Sequence, residues 1–220
     1  MSRVLKIRRL NKAYCQSDPI HISKIARAYE SAVPFVCRLV NQYFADCIFV
    51  DSEKLALLRS QLKKAGLDNE DKKNYRPISN LTFLSKIVER IIFDQLYTFM
   101  EEAGILTKYQ SAYREFHSTE TALCKIHNDL VLATCSGRTS LLVLLDLSAA
   151  FDTIDHDLLL GDLLSFGIRG EAHLLLQSYL TGHSQRVIIR QPLSEPKPLQ
   201  FGVPQGSILV PLLFILCTSS

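Results

Sequence analysis

Between Ser140 and Leu160 the chain reads "SLLVLLDLSAAFDTIDHDLLL": five aliphatic residues run into Asp146, and Asp152, Asp155 and Asp157 follow. A buried strand tolerates a terminal carboxylate only where the charge meets water, a partner or a metal. Two-metal phosphoryl transfer uses such a place, because a strand-end aspartate can bridge Mg²⁺ ions that orient the attacking and leaving oxygens. Mg²⁺ needs only one or two carboxylates, since substrate phosphates complete its shell. The alternative is structural: Asp146, Asp152 and Asp155 can solvate and cap a turn between strand and helix. Spacing alone favours that alternative.

The elements that must position these residues follow from periodicity. Residues 19–65 read as helices, with Ile22, Ile25, Ala26 and Tyr29 at helical spacing and Pro34 interrupting or restarting the pattern. Asp51 or Ser52 can cap a helix over "EKLALLRSQLKK" that stops at Gly66. A charged loop leads to an extended Arg76-Pro77 step. From Asn80 an amphipathic helix places Leu84, Ile87, Val88, Ile91, Leu96, Phe99 and Met100 on one face, closed by Gly104. A second helix starts at Ser118, with Ala122, Leu123, Ile126, Leu130 and Val131 inside and Gly137 as its stop.

The period then changes, and 140–146 reads as a buried strand. Asp155 caps a helix that runs to about Phe166 and ends at Gly167, and 172–180 is helical again. "QRVIIR" (185–190) and "PLQFG" (198–202) form a strand pair around a Pro/Ser turn, and a last helix begins near Ser207. Helices alternating with a few apolar strands indicate a mixed α/β or α+β layer architecture.

Composition narrows the function classes. Hydrophobic residues make up 47% of the 220, enough for a core and too many for wholesale disorder. Net charge is +3, from 25 basic and 22 acidic residues, so any nucleic-acid surface has to be local. Six cysteines without CxxC pairs read as reduced thiols of an intracellular protein, cytoplasmic or nuclear. The basic start "MSRVLKIRRLNK" lacks the apolar segment of a signal peptide, and no apolar run reaches the roughly 20 residues of a membrane span. His117, His127, His156, His173 and His183 have no metal-ligand spacing.

Several ordered segments together carry more than any one of them. "LLVLLDLSAAFDTIDH" followed by "FGVPQGSILVPLLF" resembles the reverse transcriptase of non-LTR, LINE-type retrotransposons, most like the CR1/Jockey group. The likeness extends through "KNYRPISNLTFLSKIVERII", "YQSAYREFHSTETAL" and "SYLTGHSQRV", and covers about Ser17 to Ser220. It implies an α+β fold of the right-hand polymerase type: fingers and a truncated palm, helix-rich, with a short incomplete antiparallel sheet. The implied organisation is a basic tail over 1–16, a fingers-like region over 17–137 and a partial palm over 138–220.

The resemblance also implies roles. Asp146 would be a catalytic ligand of Mg²⁺, with the backbone from Leu147 to Ala150 beside the triphosphate and Leu147 joining Asp146 at the metal. Phe151 would exclude a ribose 2′-OH, although a ring there can equally be core. Gln205 and Gly206 of "GVPQGS" would contact nucleotide sugar and template, with Gly202 and Gly206 allowing close approach of the backbone; a plain turn is the alternative. Arg76 and Arg114 would clamp phosphates of template or triphosphate, or stand as ordinary surface arginines. Lys63 and Lys64 match a basic doublet of the family. Partners would be an RNA template, a DNA primer and deoxynucleoside triphosphates, with no membrane.

The family pattern is altered in places. Phe116, Val210 and Cys47 stand where it has Gly, Glu53 and Leu175 where it has Trp, and Val50 and Ser60 where it has Pro. The family's aromatic-Ala-Asp-Asp hairpin is expected beyond Ser220. Without it the strand 140–146 lacks a neighbour, Asp146 lacks fellow ligands, and no polymerase activity is expected. The other readings are a non-enzymatic remnant that binds RNA or a protein partner, and a translated relic without function.

Overall fold

The computed structural model describes residues 15–18, 20, 22–147, 150–188 and 193–219. The basic tail therefore lies outside the described residues as far as Tyr14, as do Ser148 and Ala149 of the acidic motif, residues 189 and 190 of the first expected strand and 191 and 192 of the turn after it. Among the described residues no helix is long and apolar enough to cross a membrane.

Local signals set the helix ends. Helices α1 (Ile22–Arg27) and α2 (Tyr29–Asp46) break at Ala28, not at Pro34, which lies inside α2. Pro34 removes one early hydrogen bond, and the core contacts of Val36, Val40 and Tyr43 hold the helix through it. Helix α3 (Phe83–Glu102) starts where the Thr82 hydroxyl accepts from the Ser85 amide, and Gly104 follows its end at φ 66°. Helix α4 (Thr119–Cys135) opens with a capping box made by Ser118 and Thr121. Asp155 caps α5 (His156–Ser165) by accepting from the amides of Asp157 and Leu158. Helices α6 (Gly170–Leu180) and α7 (Val210–Ser219) complete the set.

The segment expected to be a helix after Asp51 is a strand, β1 (Leu55–Leu62). Its Leu, Ala, Arg and Gln residues favour helix in isolation, but pairing on both sides overrides that preference. It runs antiparallel to β2 (Tyr75–Asn80) and parallel to β3 (Ser184–Val187), which pairs antiparallel with β4 (Lys197–Pro198). The strand order is β2-β1-β3-β4. The sheet is thus mixed rather than antiparallel, and it unites strands from either side of residue 137. The main core joins α2, α3, α5, α6 and α7, with Phe49 and Val203 between them.

The run 140–146 is not a strand. It is irregular, with Leu141 90%, Leu144 80% and Leu145 89% exposed. Aliphatic residues hold a strand only when neighbours take up the backbone hydrogen bonds and cover the side chains; among the described residues none pairs with it. Helix α4 forms as expected but buries none of its residues, and Leu123, Ile126 and Val131 are exposed rather than inside.

A test follows from this exposure. Replacing Leu141, Leu144 and Leu145 by serine should leave the melting temperature unchanged within the equivalent of about 0.5 kcal/mol. It should reduce self-association in sedimentation velocity, since a contiguous apolar patch drives contact between copies.

Candidate functional site

The loop 202–207 is held from two sides. On one side the Gly202 amide donates to the Ile154 carbonyl at 2.8 Å and the Val203 amide to the Phe151 carbonyl at 3.0 Å. His156 Nε2–H donates to the Gly202 carbonyl at 2.6 Å. On the other side the Ser79 amide of β2 donates to the Gln205 carbonyl at 2.7 Å. Two glycines permit this closeness. A Cβ on Gly202 would lie 2.7 Å from Asp152 Cα, and one on Gly206 2.5 Å from the Ser79 carbonyl oxygen, with both backbones at positive φ.

Of the residues singled out in the sequence, this arrangement gathers Phe151, Gln205 and Gly206 around one loop and brings β2, with Arg76, to its edge. Phe151 is half-buried with its ring edge-on to Phe214 at 5.4 Å, so it packs against the core as well as standing beside the loop. Gln205 is half-buried and Gly206 is exposed. Arg76 is exposed on β2 opposite Gln61, and Arg59, two residues from Gln61, shares that face of the sheet.

Arg114 is placed separately, its guanidinium donating to the Thr107 carbonyl at 3.0 Å. Tyr113 just before it and Phe116 two residues after it take positive φ, as does Cys47 at the end of α2. Phe116 and Cys47 are two of the positions where the resemblance expects glycine. The left-handed conformation there explains that expectation, because a side chain at such a φ is strained. Val210, the third, begins α7 and is buried in the core.

Asp146 is exposed at the end of the irregular segment. Among the described residues no three His, Cys, Asp or Glu side chains gather into a metal site. One carboxylate, that of Asp146, with the neighbouring Leu147 carbonyl is too small a donor set to hold and bridge the two Mg²⁺ ions of a two-metal site. The described residues therefore do not by themselves make up the implied two-ion site.

Sequence reasoning missed Glu89, Ser207 and Tyr179, which form a buried polar cluster behind the loop. Glu89 is fully buried on α3 and accepts from Ser85 Oγ at 2.9 Å, Ser207 Oγ at 2.8 Å and the Ile208 amide at 2.7 Å. Tyr179 Oη lies 2.7 Å from Ser207 Oγ. Burial pushes the Glu89 carboxyl above the usual range, against the pull of the Ile208, Ser207 and Ser85 hydrogen bonds. Burial likewise raises the Tyr179 phenol well above its ordinary value. A signal existed: Ser85, Glu89, Ile92 and Leu96 follow helical spacing, so an acid sits on the apolar face of α3.

Comparison with known proteins agrees with the gathered motifs. Residues 62–220 match the model of the family described as "Reverse transcriptase (RNA-dependent DNA polymerase)". The chain is 31% identical over 188 residues to the "Probable RNA-directed DNA polymerase from transposon BS" of Drosophila melanogaster, covering 86% of this chain and 20% of that protein. It is 29% identical over 213 residues to the "Probable RNA-directed DNA polymerase from transposon X-element" of the same species, covering 96% and 23%. It is also 29% identical over 190 residues to the "RNA-directed DNA polymerase from mobile element jockey" of Drosophila melanogaster, covering 86% and 20%. The chain spans about a fifth of the length of these curated relatives. With the "PQG" loop tied to both β2 and the Asp146 motif, and with the family matched from Leu62 to Ser220, the chain belongs to the reverse transcriptase (RNA-dependent DNA polymerase) family and its domain is of the jockey-like kind.

Proposed function

We propose that this chain carries the template- and nucleotide-contacting part of an RNA-directed DNA polymerase of a retrotransposon, working inside the cell. Residues 17–137 act as fingers and 138–220 as part of the palm. Gln205 and Gly206 meet the nucleotide sugar and the template, Phe151 screens the 2′ position, and Arg76 and Arg114 meet phosphates. Asp146, with the Leu147 carbonyl, contributes one corner of a Mg²⁺ site whose other ligands the described residues do not provide. The observation that carries the reading is the loop 202–207, pinned through backbone hydrogen bonds between Ser79 of β2 and residues 151–154. It joins three separate motifs at one surface.

On this reading the 220-residue chain alone is catalytically incomplete, because ligands that act as one unit are lost together rather than by degrees. Primer extension on an RNA template with Mg²⁺ and deoxynucleoside triphosphates should yield no product. Extension by the wild type that disappears in Asp146→Ala would overturn the incompleteness.

A second reading, RNA binding without catalysis, is favoured by one observation: Arg59 and Arg76 are exposed on the same face of the β1–β2 pair. Fluorescence anisotropy with single-stranded RNA should then show salt-sensitive binding. Removing Arg76 should lower the salt slope by about one, and Asp146→Asn should leave it unchanged.

A further inference from the structure

The cluster behind the loop is costly to bury and none of the assigned roles uses it. A carboxyl with no exposure on an apolar helix face is stabilised only by donors aimed at it, and two of its three donors, Ser207 and Ile208, directly follow Gly206. Ser207 Oγ is itself saturated: it donates to Glu89 Oε2, accepts the Leu209 amide at 3.1 Å, and lies 2.7 Å from Tyr179 Oη. The loop therefore has two anchors of different kinds. Upstream the Gln205 carbonyl is tied to β2 through backbone alone, and Gly206 has no room to move toward Ser79. Downstream the tie is made by side chains: Glu89 of α3 takes both the Ser207 hydroxyl and the Ile208 amide, and Tyr179 of α6 meets the Ser207 hydroxyl.

We propose that Glu89 is a positioning residue for Gln205 and Gly206, its Oε2 holding the Ser207 hydroxyl and the Ile208 amide so that the loop is set against β2 from the α3 side. The functional consequence rests on the assignment of Gln205 and Gly206 to nucleotide contact; the hold on the loop does not. A residue that merely fills space would be replaced without loss by leucine. A residue that acts through its acceptor oxygen would be replaced only by glutamine, whose carbonyl can take the Ile208 amide while its NH₂ turns to Ser85 Oγ.

The test uses the whole chain, with amide hydrogen exchange followed by NMR in wild type, Glu89→Gln, Glu89→Leu and Ser207→Ala. Glu89→Leu should speed exchange at Ser79 and Ile208 by about 10- to 100-fold, the loss of two hydrogen bonds to one buried acceptor, with α5 amides such as Leu163 unchanged. Glu89→Gln should stay within about threefold of wild type, because the acceptor is kept. Wild-type exchange at Ser79 and Ile208 in Glu89→Leu, or equal acceleration in Glu89→Gln, overturns the proposal. Should Glu89→Leu fail to melt cooperatively, Ser207→Ala decides: faster exchange at Ile208 supports the hold on the loop, and unchanged exchange overturns it.

A second arm separates this from the functional reading. Titration with a Mg²⁺–deoxynucleoside triphosphate should shift the Gln205 and Gly206 amides in wild type and Glu89→Gln but not in Glu89→Leu. If wild type shows no shift while the exchange pattern holds, the nucleotide assignment falls and the hold of Glu89 on the loop stands. Equal shifts in Glu89→Leu and wild type overturn positioning.

Discussion

Gly202→Ala should destabilise the chain by about 3 kcal/mol or more, because a left-handed backbone is combined with a steric overlap that cannot relax. The new Cβ would lie 2.7 Å from both Asp152 Cα and the Phe151 carbonyl oxygen, with φ at +75°. Those neighbours are backbone, fixed by the Val203 amide on the Phe151 carbonyl and the Gly202 amide on the Ile154 carbonyl, so relief requires parting the loop from the acidic motif. In a chain of this size the loss corresponds to a melting temperature lower by roughly 10 °C. The control is Gly161→Ala, in the middle of α5, where nothing lies within 4 Å of the added Cβ and φ is not positive. There alanine should stabilise by about 0.5–1 kcal/mol through helix propensity. Two glycine-to-alanine changes of opposite sign, read by thermal melts, check the geometry directly. A Gly202→Ala protein as stable as wild type would mean that the loop does not lie against residues 151–152.

Acidification should weaken the fold through His183, by about 3 kcal/mol between neutral pH and about pH 4, which is the linkage value of its shift. Burial lowers the His183 imidazole from 6.5 to about 4, with the Tyr179 carbonyl pulling the other way. Its Nε2–H donates to that carbonyl at 2.6 Å, whereas Nδ1 is buried with no partner among the described residues. A proton on Nδ1 would therefore be desolvated and repelled by the Lys54 charge, and the Tyr179 and Lys54 backbone only partly offset this. Because the folded-state value is depressed, this stability is full above 6.5 and is lost as pH falls through about 4.

Glu89 acts with the opposite sign. Its folded-state value is raised, so its contribution is full below the ordinary 4.5 and declines as pH rises through the elevated value. The two slopes partly cancel in wild type, and single variants separate them. Chemical denaturation across pH 4 to 8 should show a steeper acid loss in Glu89→Gln than in wild type. His183→Gln should instead gain stability as pH falls toward 4.5. An acid loss in His183→Gln as large as that of wild type would rule out the histidine as its source.

The chain's own residues determined a good part of this protein without tertiary information. Thr82, Ser118 and Asp155 cap helices from hydroxyls or carboxylates within three residues of the amides they serve, and Gly104, Gly137 and Gly167 follow helix ends at positive φ. Capping is local chemistry, so it can be read from order alone. The motifs at Asp146, Gly202–Ser207 and Arg76 carried the family for the same reason: their identity lies in short, ordered residue strings.

What tertiary structure decided is whatever depends on a distant partner. Leu55–Leu62 became a strand because β2 and β3 flank it, 13 and more residues away, against its own helical preference. The run 140–146, which has strand composition, stayed irregular and exposed because among the described residues no strand lies beside it. Glu89 became a buried acceptor only because Ser207 and Ile208, 118 and 119 residues on, bring their donors to it. A carboxylate's cost is fixed by its type, but its compensation is set by which groups the fold delivers, and that is not written in the residues around it.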